Sequence, residues 1–285
     1  MQRFKRIAGL CWMGILMLGM FSSVHAHTMW LNVSEYYPEQ GEGTKVYFGW
    51  GHRYPVADFL SVEKLEAFNL ITPKGEKETL EPGPGGFLAT ALNLSEQGNY
   101  IVTATLKPGF YTMYVEKGKI HHKSVPKTGL SGVILSLHFE QYAKALICAG
   151  GAGERFRKPF IHNAKALVGG KRLSKAFRKP VGHTLEIVPL ADPAEVKVGD
   201  YLPVQVLFKG KPARYCSLYG TYAGFSTGDG FAYATGTDGK GKAKIRVLHH
   251  GPWLIKAKIR RPVPDALKDK CNELSYTATL TFEVK

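Results

Sequence analysis

The chain is 285 residues long, with 38 Lys or Arg against 23 Asp or Glu and a formal net charge of +15 at pH 7. That length suffices for two domains of ordinary size. Its 4 cysteines are too few for a disulfide-dense scaffold, and no two have the CxxC spacing of a zinc ribbon, which argues against a thiolate metal site.

The first residues have the three parts of a secretory signal. Arg3, Lys5 and Arg6 form a basic start, Ile7 to Phe21 an apolar run, and Ser22 to Ala26 a short polar end. Val24 and Ala26 occupy the positions where small residues suit a signal peptidase. The apolar run is short for a membrane span, so cleavage after Ala26 and release to the periplasm or beyond are expected. Removing residues 1–26 takes away three cations and no acid, so +15 falls to +12. For an exported protein this surplus argues against nucleic acid. It fits a soluble basic surface, or an anionic lipid, a cell-wall polymer or an acidic protein as partner. Cys148, Cys216 and Cys271 remain, an odd count that permits one disulfide; Cys216 with Cys271 is the preferred pair, since both fall in one expected domain.

From His27 the pattern alternates, Met29, Leu31 and Val33 against Thr28, Trp30 and Asn32, which predicts a strand. Glu35 to Gly43 reads as a loop. A second strand carries Val46, Phe48 and Trp50 on one face and ends at Gly51-His52. In a simple antiparallel hairpin centred on that loop, opposed residues have numbers summing to about 79, which sets His27 across from His52 with Cβ atoms roughly 4.5–5.5 Å apart. A short helical turn is expected over Asp58 to Ala67, then strands over Gly98–Leu106 and Phe110–Glu116 around the Pro108-Gly109 turn. Residues 27–118 therefore read as an immunoglobulin-like β-sandwich.

Residues 119–182 look different. Phe139 to Cys148 reads as a short helix, and Ala149 to Gly153 as a glycine-rich loop without the Lys-Ser/Thr ending of a phosphate loop. Arg155 to Lys179 holds nine Lys or Arg and no acid. This is an exposed basic connector, or a docking patch for an acidic partner. Residues 183–285 return to short alternating strands with a hairpin turn at Thr237–Gly241. The expected fold class is all-β: two immunoglobulin-like β-sandwich domains joined by a basic, partly helical connector.

Cleavage after Ala26 would make His27 the first residue, offering a metal its α-amino nitrogen and its imidazole. With His52 this makes three nitrogen ligands, a set that suits Ni(II), Co(II), Cu(II) and Zn(II), the tetragonal arrangement favouring nickel and copper. The amine has an ordinary pKa of about 7.7–8.0 and must lose its proton to bind, so affinity should weaken in acid. The bland alternative is a frayed terminus beside a loop histidine. His121 is the further ligand expected: His121 and His122 follow the last strand of the first domain, and neighbours on a strand point to opposite faces, so one of the two at most can serve. Asp58 is expected to accept from an imidazole and fix its tautomer, or else to cap the turn that follows it. His138 reads as a core residue. Neither Gly-x-Ser-x-Gly nor His-Glu-x-x-His is present, and Asp229 and Asp238 lack the carboxylate density of a calcium loop.

These residues together resemble periplasmic bacterial proteins described as NikM-like and associated with nickel and cobalt uptake. The resemblance rests on His27-Thr-Met-Trp-Leu31, Phe48-Gly-Trp-Gly-His-Arg-Tyr-Pro55, residues 182–190 (GHTLEIVPL), 206–212 (VLFKGKP), 237–241 (TDGKG) and 251–254 (GPWL). It implies a periplasmic protein that handles a transition-metal ion, nickel or cobalt, with His27 and His52 as the positions that fit a ligand role; copper is the further ion that the nitrogen set admits, and no enzymatic activity is expected. A membrane metal transporter docked through the basic connector would be its partner. Two other readings compete. An N-terminal histidine brace on a β-sandwich is similar to copper monooxygenases that oxidise polysaccharides, which would need a flat aromatic surface built from residues such as Trp30, Tyr36, Tyr37, Trp50 and Tyr54. A tandem sandwich with sugar-binding aromatics and no tight metal is the third.

Overall fold

A computed structural model describes residues 27–39, 41–149 and 175–285. The expected signal segment (1–26) and most of the basic stretch, with its glycine cluster (150–174), lie outside the described residues. The described chain is all-β. Its strands run β1 (Thr28–Val33), β2 (Gly43–Gly51), β3 (Leu65–Ile71), β4 (Lys77–Thr79), β5 (Thr90–Asn93), β6 (Gly98–Leu106), β7 (Gly109–Glu116), β8 (Lys119–Lys123) and β9 (Val133–Ala149). After residue 174 come β10 (Leu185–Pro189), β11 (Tyr201–Phe208), β12 (Lys211–Pro212), β13 (Ser217–Tyr222), β14 (Tyr233–Gly236), β15 (Lys242–Arg246), β16 (Gly251–Pro262) and β17 (Glu273–Val284). The helical turn expected near Asp58–Ala67 shrinks to one 3-10 turn at Val62–Lys64.

Two small sheets flank one large one. β1, β2 and β5 form the first, and β10, β11, β12 and β15 the second. The remaining ten strands make a single sheet in the order β14-β13-β16-β17-β9-β6-β3-β4, with β7 and β8 attached through β9. The stretch expected to be connector (119–182) therefore contributes β8 and the central strand β9. β9 pairs antiparallel with β7 through its first half and with β6 through its second, while β17 runs parallel along its other edge. Phe139–Cys148, expected to be a helix, lies within that strand.

The reason is visible in where its side chains go. Ala143, Ala145 and Ile147 enter the core shared with β1, β2 and β5, whereas Tyr142 and Leu146 enter the core shared with β10, β11 and β15. A strand buried on both faces loses the apolar-polar alternation by which strands are recognised, and its unbroken apolar run resembles a buried helix. The small sheets thus cover opposite faces of the large sheet at β9, and the two sandwiches share their central layer. A third, small cluster of Trp30, Tyr54 and Leu254 joins the outer face of β1 to β16.

Among the described residues Cys148, Cys216 and Cys271 are buried and form no disulfide. The expected Cys216–Cys271 bridge is thus not made. The Cys216 sulfur sits 3.4 Å from the Lys258 carbonyl and that of Cys271 3.7 Å from the Leu267 carbonyl.

Candidate metal centre

The β1–β2 pairing sets the centre. Thr28 lies opposite Gly51, Met29 opposite Trp50 and Trp30 opposite Gly49, so each pair sums to 79, the register expected from the loop. Two side-chain devices hold it. The Trp30 indole lies over Gly49, where a Cβ would come within 2.0 Å of Nε1. That indole N–H and the Asn32 amide both donate to the Pro55 carbonyl, at 2.9 and 3.0 Å. Together they fold the segment after β2 back against β1 and keep His52 at the end of the hairpin.

His27 and His52 meet there, ring centroids 4.8 Å apart and planes at 84°. The edge of His27 also meets Trp50 at 5.4 Å. His27 is half-buried and His52 exposed, so the pair opens to solvent on one side. Burial lowers the His27 pKa below the usual histidine value; Lys64 and His122 push in the same direction and Asp58 opposes them. The result favours the neutral imidazole, the form that ligates metal.

The backbone of His27 is fixed from the other side. Gln141 on β9, 3% exposed, donates from Nε2 to the His27 carbonyl and accepts on Oε1 from the Met29 N–H, both at 2.8 Å. The free edge of β1 continues the same scheme, its Met29 and Leu31 carbonyls accepting from the hydroxyls of Thr279 and Thr281 at 2.9 and 2.7 Å. An edge strand with unpaired backbone groups would be a liability; here side chains from β9 and β17 satisfy it. No pattern in the sequence marked Gln141, because a lone amide in an apolar run has no partner until the strand is placed.

The other expected residues divide. Asp58 stands beside the pair, its N–H donating to the Trp50 carbonyl at 2.9 Å and its Oδ1 accepting from the Phe59 N–H at 2.8 Å. Its charge reaches His27, and it caps no helical turn, since the 3-10 turn at Val62–Lys64 is preceded by Ser61. Of the two β8 histidines it is His122 whose charge is felt at His27; His122 stacks on Tyr111 at 5.6 Å. His121, expected as the further ligand, points to the other face of β8 and lies over Tyr114 at 5.7 Å. His138 is half-buried against Phe110 at 5.1 Å, as a packing residue should be. Among the described residues no three His, Cys, Asp or Glu side chains converge to hold a metal ion. Side chains alone supply two nitrogens, and a third from the His27 α-amino group exists only once the bond to Ala26 is cut.

The fold and the histidine pair define a class: an all-β protein with paired histidines at the open end of its first hairpin. The chain belongs to the family described as Domain of unknown function (DUF4198), whose model matches residues 24–261. No curated protein matches it. Among solved structures it is similar to Salmonella alpha-2-macroglobulin reacted with methylamine, at 9% identity and a TM-score of 0.22, over 90% of this chain and 15% of that one. A DUF4785 family protein from Legionella pneumophila gives 9% identity and a TM-score of 0.22 over 80% and 50% of the two chains. The two tandem V-type regions of a v-region-containing chitin binding protein give 6% and 0.21 over 88% and 99%. This chain spans well under two thirds of the first two, and similarities this distant carry no argument about function. Among the described residues no helix is long and apolar enough to cross a membrane.

Proposed function

We propose that this is an exported metal-handling protein that binds a divalent transition-metal ion, nickel or cobalt foremost and copper next, through the α-amino and imidazole nitrogens of His27 and the imidazole of His52. Metal uptake is the role this serves, with a membrane transporter as partner and the basic stretch of residues 155–179 as its docking surface. The observation that carries the reading is the His27–His52 pair: two rings 4.8 Å apart, one on what becomes the first residue after cleavage. Two neutral imidazoles and an amine suit borderline ions of tetragonal preference. Gln141 holds the His27 carbonyl and so limits the freedom the terminus must lose on binding.

The aromatic platform that a polysaccharide monooxygenase or a sugar-binding module requires is not built from the residues expected for it. Trp30, Tyr36, Trp50 and Tyr54 are all buried, and Tyr37 is committed by its hydroxyl to the Glu283 carbonyl at 2.5 Å.

The test is calorimetry with Ni(II), Co(II), Cu(II) and Zn(II) on protein beginning at His27, against the same protein with one alanine added before it. The added residue displaces the free amine and leaves every side chain in place. Affinity should fall by at least about tenfold in the extended protein and in His52→Ala. Equal binding by all three proteins would remove the site from this pair, and no binding by any would end the metal reading.

A further inference from the structure

A cleft between the two sandwiches adjoins the histidine pair. Thr28, Gly51 and His52 form one wall, and Thr221, Phe231 and Lys256, from β13, the loop before β14, and β16, form the other. The enclosed part of the cleft is small, about 20 Å³, and it opens to solvent.

Lys256 is the unusual member. It is 6% exposed, yet among the described residues no carboxylate lies within ion-pair distance of its ammonium, which rests 4.7 Å from the Phe231 ring centroid and 5.8 Å from that of Tyr219. Buried ammonium groups are ordinarily paired, because water is lost and must be replaced; the other buried lysine of this kind, Lys144, has its partner in Glu186 at 3.0 Å. Burial depresses the Lys256 pKa to about 8; Lys258 adds to this, and Asp229 opposes it. Asp229 is in the wall as well, but on an exposed loop, where water screens it. Thr221 is 4% exposed, and among the described residues no hydrogen bond engages its hydroxyl. A buried cation and an unengaged hydroxyl in one wall form half of an anion site.

We infer that this cleft takes a small carboxylate, held by Lys256 and Thr221, and that the cargo is accordingly a metal–carboxylate complex rather than a bare ion. The second half of the statement rests on the metal reading above: three nitrogens leave coordination positions open on a divalent ion, and oxygen donors fill them. The first half stands on the cleft alone. A charge-assisted bond in a partly dry site is the strong kind, and a cationic wall next to His52 favours an anion there over a second cation.

Malonate tests both halves, having one carboxylate for the lysine and one for the metal. Retention of Ni(II) by protein beginning at His27 is measured by equilibrium dialysis with and without malonate, for wild type, Lys256→Met and Lys256→Gln. Met keeps the aliphatic stem and removes the charge, so it guards against a merely unstable variant. Malonate should tighten retention about tenfold in wild type, the worth of one charge-assisted hydrogen bond. In both variants it should act only as a competing chelator, with malonate-free binding unchanged. Malonate acting alike on all three proteins would overturn the inference. If Ni(II) is not retained under any condition, the metal reading fails, and calorimetry of malonate with metal-free protein decides the rest. Binding by wild type and not by the variants keeps the anion site, and no binding discards it.

Discussion

At the scale of single residues, the candidate centre depends on a side chain that touches no metal. Gln141 binds two backbone groups at the start of the first hairpin, donating to the His27 carbonyl and accepting from the Met29 N–H. Gln141→Leu removes both partners from a buried N–H and a buried carbonyl, a loss of about 1–3 kcal/mol for each group left unsatisfied. Urea denaturation should show that loss. Gln141→Glu separates the two contacts, because it keeps the acceptor for Met29 and sets a carboxylate oxygen against the His27 carbonyl. Its effect should appear mainly as weaker metal binding and faster proteolysis at the terminus. Unchanged metal affinity in Gln141→Glu would show that His27 needs no such positioning.

At the scale of elements, the hairpin β1–β2 is held by small fits more than by bulk. Gly49→Ala would drive a methyl into the Trp30 indole at a nominal 2.0 Å. The indole must shift and release Pro55, at a cost of about 1–3 kcal/mol. A lowered Tm accompanied by a changed Trp30 fluorescence should report it. The edge of β1 is tied down independently. Thr281→Val removes the hydroxyl that donates to the Leu31 carbonyl while conserving volume, so it should destabilise by roughly 1–3 kcal/mol. An unaltered unfolding midpoint would mean that water replaces the hydroxyl there.

At the scale of the molecule, the shared sheet makes the two sandwiches one mechanical object. Trp50 reports on the first core and Trp253 on the second, and their unfolding transitions should coincide in urea, because β9 belongs to both cores. Two resolved transitions would contradict the shared layer. The second core also carries a buried ion pair: Glu186 accepts from Lys144 at 3.0 Å and from the N–H groups of Val181 and Gly182 at 2.7 and 3.1 Å. Breaking it with Glu186→Gln strands a buried ammonium and should destabilise by about 3–5 kcal/mol. Beside it His183, 5.0 Å from Tyr142, has its pKa pushed down to about 4, chiefly by burial, with Lys144 and Lys77 adding and Glu186 opposing. The folded protein then holds His183 neutral while the unfolded chain takes up a proton near pH 6.5. Its contribution is therefore fully present above pH 6.5 and is lost as pH falls toward 4, with a slope of at most about 1.4 kcal/mol per pH unit. His183→Asn should flatten that part of the stability profile.

Much of this protein is determined by sequence that acts over short range. Alternation in β1 and β2, and the loop between them, suffice to give the first hairpin and the register that opposes His27 to His52. The same local signals fail where burial is two-sided. β9 looks like a helix or a connector because both its faces are apolar, and only the packing of two small sheets on opposite sides of it reveals the central strand. The contacts that finish the centre join residues far apart in the chain: Gln141 to His27, Thr279 and Thr281 to the edge of β1, Lys256 to the cleft beside His52. The attachment of β8 through β7 likewise decides that the charge of His122 is the one felt at His27, with His121 turned to the opposite face. Local chemistry chose the strands and the first two histidines; the arrangement of the sheets chose everything that surrounds them, since a lone polar residue in an apolar run acquires a role only when its partner is brought to it.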